Sequence, residues 1–464
     1  MDRLSGLDAS FLYLETPQQM LHVVALLELD PSTIPGGYDF ERFKSELARR
    51  VRTMPGFRRK LYDTAWNLDH PVWVDDPDFD VDLHVHRVAV PAPGEREQLA
   101  ELAAHIASQP MDRSRPLWEF WTVESLANGN IAIVGKMHHA TVDGVTGANM
   151  MSQLCGLTPE LDTPPEPEPG PAARVNDLDL AVGGLRAFAA RPVKLVQVLA
   201  DTVPLIPDWV FRARRGAAMP APFTAPRCSF NGTVTGHRSI AYTQLDMAIV
   251  KQVKNAFGAK VNDVVLTLVS GALRSYLTGR DELPESSLVA SIPVSVHGKS
   301  DRPGTNRVTG MFMQLRTDIS DPVQRLRTIA ADNSVAKEHQ DAISASLLQD
   351  WAQFAAPATF GLAVRLYANL RLADRHPVIH NLVVSNVPGP PVPLYFLGAQ
   401  VKAMAPLGPV FHGAGLTMTA MSLENKLNVG VIACKELAPD LWSLVDAFPA
   451  ALDELARAAA EQST

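Results

Sequence analysis

The chain has 464 residues, a formal net charge of −8, 46% apolar and 20% charged residues. That length allows about three domains of ~150 residues or two large ones, each able to bury a substantial core. The acidic balance speaks against nucleic acid as a partner. Cys155, Cys228 and Cys434 are too scattered for a disulfide framework or a zinc site, so no metal is expected, and reduced thiols in the cytoplasm are. No basic-then-apolar leader opens the sequence, and no apolar run reaches the ~20 residues of a spanning helix, so any membrane contact is expected to be peripheral.

In chain order, Met20 to Leu29 reads as a strand, Phe40 to Arg52 and Arg96 to Ser108 as helices, and Trp118 to Val123 and Ile131 to Met137 as strands. The mixture points to α+β layers. Directly after the apolar run Ile131-Ala132-Ile133-Val134 stands His138-His139-Ala140-Thr141-Val142-Asp143-Gly144. Val145, Ala148, Met150 and Leu154 then give a short apolar face, so the motif is expected at a strand-to-helix turn. An imidazole there is fixed by the strand while still facing a cleft, and its reference pKa of about 6.5 suits a general base. Taken singly, each residue has a plainer reading: a histidine as a packed structural residue, Asp143 as a helix N-cap.

Thr163 to Pro171, with five prolines in Pro164, Pro165, Pro167, Pro169 and Pro171, sustains neither helix nor central strand and reads as a linker. From Ala172 to about Pro226 apolar, helix-compatible residues mix with Arg186, Arg191, Lys194, Arg212, Arg214 and Arg215. Two readings stay open: a connector packed over the gap between domains, or a surface helix that puts Trp209 and Phe211 into a bilayer or lipid-droplet interface.

The remainder, from about 229, reads as a second αβ part. Ile249 to Phe257 is expected as a helix ended by Gly258, and Asn262-Asp263 opens a long apolar helix, with Asn262 as its cap. Leu288 to Val296, Leu382 to Ser385 and Leu427 to Ala433 read as strands, and Val387 to Pro393 as an irregular crossing. The division is thus 1–160, a connector 161–228, and 229–464.

The string from His138 to Gly144 resembles the His-His-x-x-x-Asp-Gly signature of the CoA-dependent acyltransferase superfamily. Leu4-Ser5-Gly6-Leu7-Asp8-Ala9-Ser10-Phe11, Pro116-Leu117-Trp118, Asn262-Asp263-Val264-Val265-Leu266 and Ser385-Asn386-Val387-Pro388-Gly389-Pro390 occur in order and are similar to signatures of the wax ester synthase/diacylglycerol acyltransferase family. The resemblance implies two chloramphenicol-acetyltransferase-like αβ domains with an active-site tunnel at their interface and His139 near its middle. It implies transfer of a long-chain acyl group from acyl-CoA to diacylglycerol, or to a fatty alcohol in the wax ester variant. Acyl-CoA is then a co-substrate, and no cofactor is expected. His139 is assigned as general base, His138 as the residue that orients the loop or lines the channel, and Asp143 as structural support. Gly144 allows close backbone approach. Asn262, Asp263, Ser385, Asn386 and Trp118 are candidate substrate contacts, although Trp118 suits packing in a core strand better. More distant alternatives are a transferase using a carrier-bound donor and a catalytically silent lipid-binding protein.

Overall fold

A computed structural model describes residues 2–64, 67, 69–142, 153–161, 177–216, 218–295, 308–342 and 357–462. Asp143, Gly144, the helix start expected after them and the proline-rich run 163–171 lie outside the described residues.

Strand β1 (Asp2–Arg3) leads into helix α1 (Gly6–Leu14). Ser5 caps α1: its hydroxyl accepts the Asp8 N–H at 3.1 Å and donates to the Asp8 carboxylate at 2.7 Å. There follow β2 (His22–Asp30), α2 (Phe40–Thr53), β3 (Arg59–Tyr62), β4 (Val72–Asp75), β5 (Val85–Ala89), α3 (Arg96–Ser108), β6 (Trp118–Glu124), β7 (Ile131–His138) and β8 (Cys155–Gly156). The connector supplies α4 (Asp177–Thr202) and α5 (Leu205–Arg214). Next come β9 (Arg238–Asp246), α6 (Met247–Ala256), α7 (Val261–Thr278), β10 (Val289–Ser295), β11 (Val308–Gln314), α8 (Pro322–Ala342) and α9 (Pro357–Asn369). The chain closes with β12 (Leu382–Val387), β13 (Tyr395–Phe396), β14 (Ala399–Leu407), β15 (Leu416–Leu423), β16 (Lys426–Cys434), α10 (Leu441–Val445) and α11 (Ala447–Gln462).

A seven-stranded sheet runs β5-β6-β7-β2-β14-β13-β8, a six-stranded sheet β11-β10-β12-β15-β16-β9, and a small one β1-β4-β3. Every residue of β7 is buried, which explains the apolar run Ile131 to Val134 at its start: the strand lies between β6 and β2 and is covered on both faces. In the second sheet, α7 packs its Val265, Leu268 and Val269 against strand residues Val384 and Met418 and helix residue Phe448.

The expected division at 228/229 is crossed by two strands. β13 and β14 belong by sequence to the C-terminal part, yet β14 pairs with β2 from Gln400↔Asp30 to Leu407↔Val24, and β13 pairs with β8. The irregular segment after β12 is therefore where the chain passes from one sheet to the other. Two glycines make that passage possible: a Cβ on Gly389 would stand 1.9 Å from the Ser422 carbonyl oxygen, and one on Gly430 would stand 2.3 Å from that of Pro406. Any side chain there would force the crossing segment or β14 away from the second sheet.

Candidate active site

β7 ends at His138, and its register with β2 places that residue opposite His22. The chain then turns. The His138 carbonyl accepts the Thr141 N–H at 2.9 Å and the Thr141 hydroxyl at 2.7 Å, while the His139 N–H donates to the Leu21 carbonyl at 2.8 Å. Leaving the strand, the two imidazoles part ways: His138 is 1% exposed, whereas His139 is half-buried. The His139 ring stacks on Phe11 of α1 with centroids 4.1 Å apart, and its Nδ1 is covered by protein. The N-terminal Leu4-to-Phe11 motif thus has two physical jobs, capping α1 through Ser5 and supporting the His139 ring through Phe11.

His138 Nδ1 accepts the Ala140 N–H at 3.0 Å, which puts the ring proton on Nε2. That nitrogen faces Glu15 Oε1 at 3.7 Å, and His22 Nε2 approaches the same oxygen at 3.3 Å. Arg113 donates to the other Glu15 oxygen at 2.5 Å and to the Leu12 carbonyl at 2.8 Å. Burial works to raise the Glu15 carboxyl, but the close approach of His138 and His22 and the charge of Arg113 outweigh it and hold the group well below the usual carboxylate range. Burial pushes His138 down to about 4, so it is neutral at pH 7. A half-buried carboxylate, two buried imidazoles and a half-exposed arginine thus stand behind the turn that presents His139.

Sequence reasoning named neither Glu15, His22, Arg113 nor Phe11 as site residues. The available signal was Glu15 in the polar interruption Glu15-Thr16-Pro17-Gln18-Gln19 between two apolar elements, and a histidine at the first position of a strand.

On the C-terminal side the helix start differs from expectation. Lys260 stands at the cap position of α7, and its N–H donates to Asp263 Oδ2 at 2.8 Å, so Asp263 does the capping that the sequence suggested for Asn262. Asp263 is buried, and its other oxygen accepts the Asn333 amide at 2.6 Å. Freed from capping, the Asn262 carbonyl oxygen accepts the Asn386 amide at 3.1 Å. The fold thereby joins two motifs that lie 124 positions apart. Both asparagines and Ser385 are half-buried, at the ends of α7 and β12.

Trp118 is not at a surface. It is 3% exposed, donates its indole N–H to the Phe57 carbonyl at 2.8 Å, and is stacked by His84 at 4.4 Å. The substrate contact considered for it gives way to a core role, because protein covers both faces. Trp209 likewise turns inward, donating to the Met219 carbonyl at 3.0 Å and packing on Phe312, whereas Phe211 is exposed. Among the described residues no group of His, Cys, Asp and Glu is arranged to hold a metal ion.

The chain matches the family described as wax ester synthase/diacylglycerol acyltransferase catalytic domain over residues 4–265 and the WS/DGAT C-terminal domain over residues 304–456. A protein of Mycobacterium tuberculosis strain H37Rv, provisionally named a diacylglycerol O-acyltransferase, is 51% identical over 463 residues, covering 100% of this chain and 91% of its own length. The solved wax ester synthase/diacylglycerol acyltransferase from Marinobacter aquaeolei VT8 is 29% identical and superposes with a TM-score of 0.70 over 99% of this chain and 100% of that one. The first condensation domain of the calcium-dependent antibiotic synthetase shares the fold at 15% identity, with a TM-score of 0.57 over 100% of this chain and 97% of that one.

Proposed function

The chain belongs to the wax ester synthase/diacylglycerol acyltransferase family and is an acyltransferase, and from that premise we propose that it esterifies diacylglycerol with a long-chain acyl group from acyl-CoA, His139 serving as general base. The observation that carries this reading is the contrast within the histidine pair: His138 is locked and neutral, while His139 is half-exposed on a turn pinned by Leu21 and Phe11. With Nδ1 covered, Nε2 is the nitrogen that meets the alcohol. As the hydroxyl oxygen attacks the thioester carbonyl, its proton passes to Nε2. The tetrahedral oxyanion collapses, the C–S bond breaks, and the imidazolium returns the proton to the departing thiolate. No acyl-enzyme and no cofactor enter this scheme.

The Asn262–Asn386 pair supports a substrate role for the C-terminal part of the chain. Asn262 accepts through its oxygen, which leaves its NH2 to donate to a substrate carbonyl or to the oxyanion. Thiol release from palmitoyl-CoA, with the lipid product identified, tests the reading. Triacylglycerol formed from dioleoylglycerol in preference to wax ester from hexadecanol supports it. Hexadecyl ester as the main product favours the wax ester synthase alternative, and no ester from either acceptor by folded protein refutes both.

A lipid surface is where such an acceptor is met, and α4 supports contact with an anionic phospholipid layer. The helix buries Leu180 and Val198 and exposes Leu178, Leu185, Val193 and Val196 on the opposite side. From Leu180 to Ala200 its only charged residues are Arg186, Arg191 and Lys194, in a chain of net charge −8. At the end of α5 the exposed Phe211 ring carries the Arg215 guanidinium 4.1 Å from its centre. No single helix among the described residues is long and apolar enough to cross a membrane. Co-sedimentation with phosphatidylcholine/phosphatidylglycerol vesicles that weakens at least fivefold in Leu185→Gln/Val196→Gln supports the contact; equal binding by wild type and variant refutes it.

A further inference from the structure

The loop between α1 and β2, residues 15–21, touches the histidine turn on one side and the C-terminal part of the chain on the other. Toward the turn, the Leu21 carbonyl accepts the His139 N–H at 2.8 Å, and the Glu15 carboxylate faces His22 at 3.3 Å and His138 at 3.7 Å. Toward the C-terminal part, Arg238, the first residue of β9, donates from Nη2 to the Gln18 carbonyl at 2.6 Å. Its Nη1 donates to the carbonyls of Thr235 at 2.5 Å and His237 at 3.0 Å. The adjacent Gln19 is held from the same side, its Oε1 accepting the His412 N–H at 2.6 Å, while its Nε2 donates to the Leu14 carbonyl at the end of α1 at 2.8 Å.

The loop itself is stiff. Thr16 and Gln19 exchange both backbone hydrogen bonds at 3.1 Å, and the Thr16 hydroxyl accepts the Gln19 N–H at 3.0 Å. A constraint at Gln18 and Gln19 is therefore passed within three residues to Glu15 and Leu21. Arg238 is 6% exposed, and its charge rests on carbonyl oxygens, with no carboxylate in ion-pair contact among the described residues. A buried guanidinium so placed contributes little by charge pairing. What it supplies is a forked, planar set of donors that fixes three carbonyls relative to one another.

We propose that Arg238 is a positioning residue for the general base. From the second sheet it holds loop 15–21 in place, and through Leu21 and Glu15 that loop sets the orientation of His139. The two parts of the chain are then coupled at the point of chemistry. This proposal rests on His139 being the base.

The test is steady-state kinetics of the full-length protein with palmitoyl-CoA and dioleoylglycerol for Arg238→Met, Arg238→Lys, Gln19→Met and His139→Ala, each checked for cooperative thermal unfolding. Arg238→Met is expected to lower kcat about tenfold with both KM values within twofold of wild type, as misplacement of a catalytic group does. Arg238→Lys, which keeps a donor to at least one carbonyl, is expected to restore kcat to within about threefold of wild type. Gln19→Met, removing the second tether, is expected to show the same kcat-only loss at about fivefold. Folded Arg238→Met with kcat within twofold of wild type overturns the proposal, as does a loss confined to KM. Should Arg238→Met fail to fold, unchanged kcat in Gln19→Met overturns it. Full activity in His139→Ala overturns the base assignment and the proposal together, whereas loss in His139→Ala with silent Arg238 and Gln19 variants overturns the proposal alone.

Discussion

The two regions that carry the candidate site residues are built differently. Behind His139 stands a dense buried network in which Glu15 gathers His22, His138 and Arg113, and in which the backbone of the turn is bonded to Leu21. In the second region, Asn262 and Asn386 are linked to each other by one amide hydrogen bond at the half-buried ends of a helix and a strand. A proton-transferring group must be held to within fractions of an ångström, and redundant support of the turn by several partners serves that need. A lipid-binding surface in general needs only a few polar groups with room to adjust, and one methylene more or less discriminates by only ~1–3 kcal/mol.

The contrast is broken most severely at its centre. Glu15→Ala removes the acceptor shared by two imidazoles and a guanidinium, and it is expected to lower unfolding stability by about 3 kcal/mol in urea titrations and kcat by more than tenfold. A loss under 1 kcal/mol would mean that the network is not the support described. Next in size is a pH effect. Burial holds the His138 imidazole at about 4, against about 6.5 in the unfolded chain, so the unfolded state takes up the proton first. The stability this contributes is complete above pH 6.5 and is lost as the pH falls towards 4. Urea midpoints at pH 7.5 and 4.5 should therefore fall more steeply for wild type than for His138→Gln, and parallel slopes would refute the assignment.

At the asparagine pair the effects are smaller and of another kind. Asn262→Ala and Asn386→Ala are each expected to raise KM about fivefold with kcat within threefold, and the double variant to be no worse than either alone, because the first substitution already breaks the pair. Multiplicative losses would show two independent contacts instead. Smallest of all, Trp118→Phe should cost about 1 kcal/mol of stability, the worth of its hydrogen bond to Phe57, and leave acceptor KM unchanged. A raised acceptor KM would return Trp118 to the substrate surface.

How much of this was legible in the sequence follows from the range of each interaction. The strand before the histidine pair was readable because an all-apolar run of β-branched residues carries its own signal. Helices α2 and α3 were readable from periodicity and emerged within a residue of the expected bounds. The Glu15 network was not, because its members are drawn from positions 15, 22, 113 and 138: the register of β2 with β7 pairs His22 with His138, and Glu15 and Arg113 reach them from loops outside both strands. Strand exchange by β13 and β14 was equally hidden: Val387 to Pro393 announces an irregular segment, but which sheet receives the next strand is decided by pairing with β2, far away in sequence. Asn262 shows a local rule choosing the wrong neighbour. Asparagine is a good cap by type, yet the helix begins two residues earlier than that reading needs, and Asp263 takes the role.

The most direct measurement is ester formation from palmitoyl-CoA and dioleoylglycerol by His139→Ala, with wild-type folding verified by its thermal melt. A fall in kcat of at least about 10² with the melt unchanged is the result expected of a general base on a preformed turn. Ester formation within tenfold of wild type would contradict it and would place the proton transfer on another group.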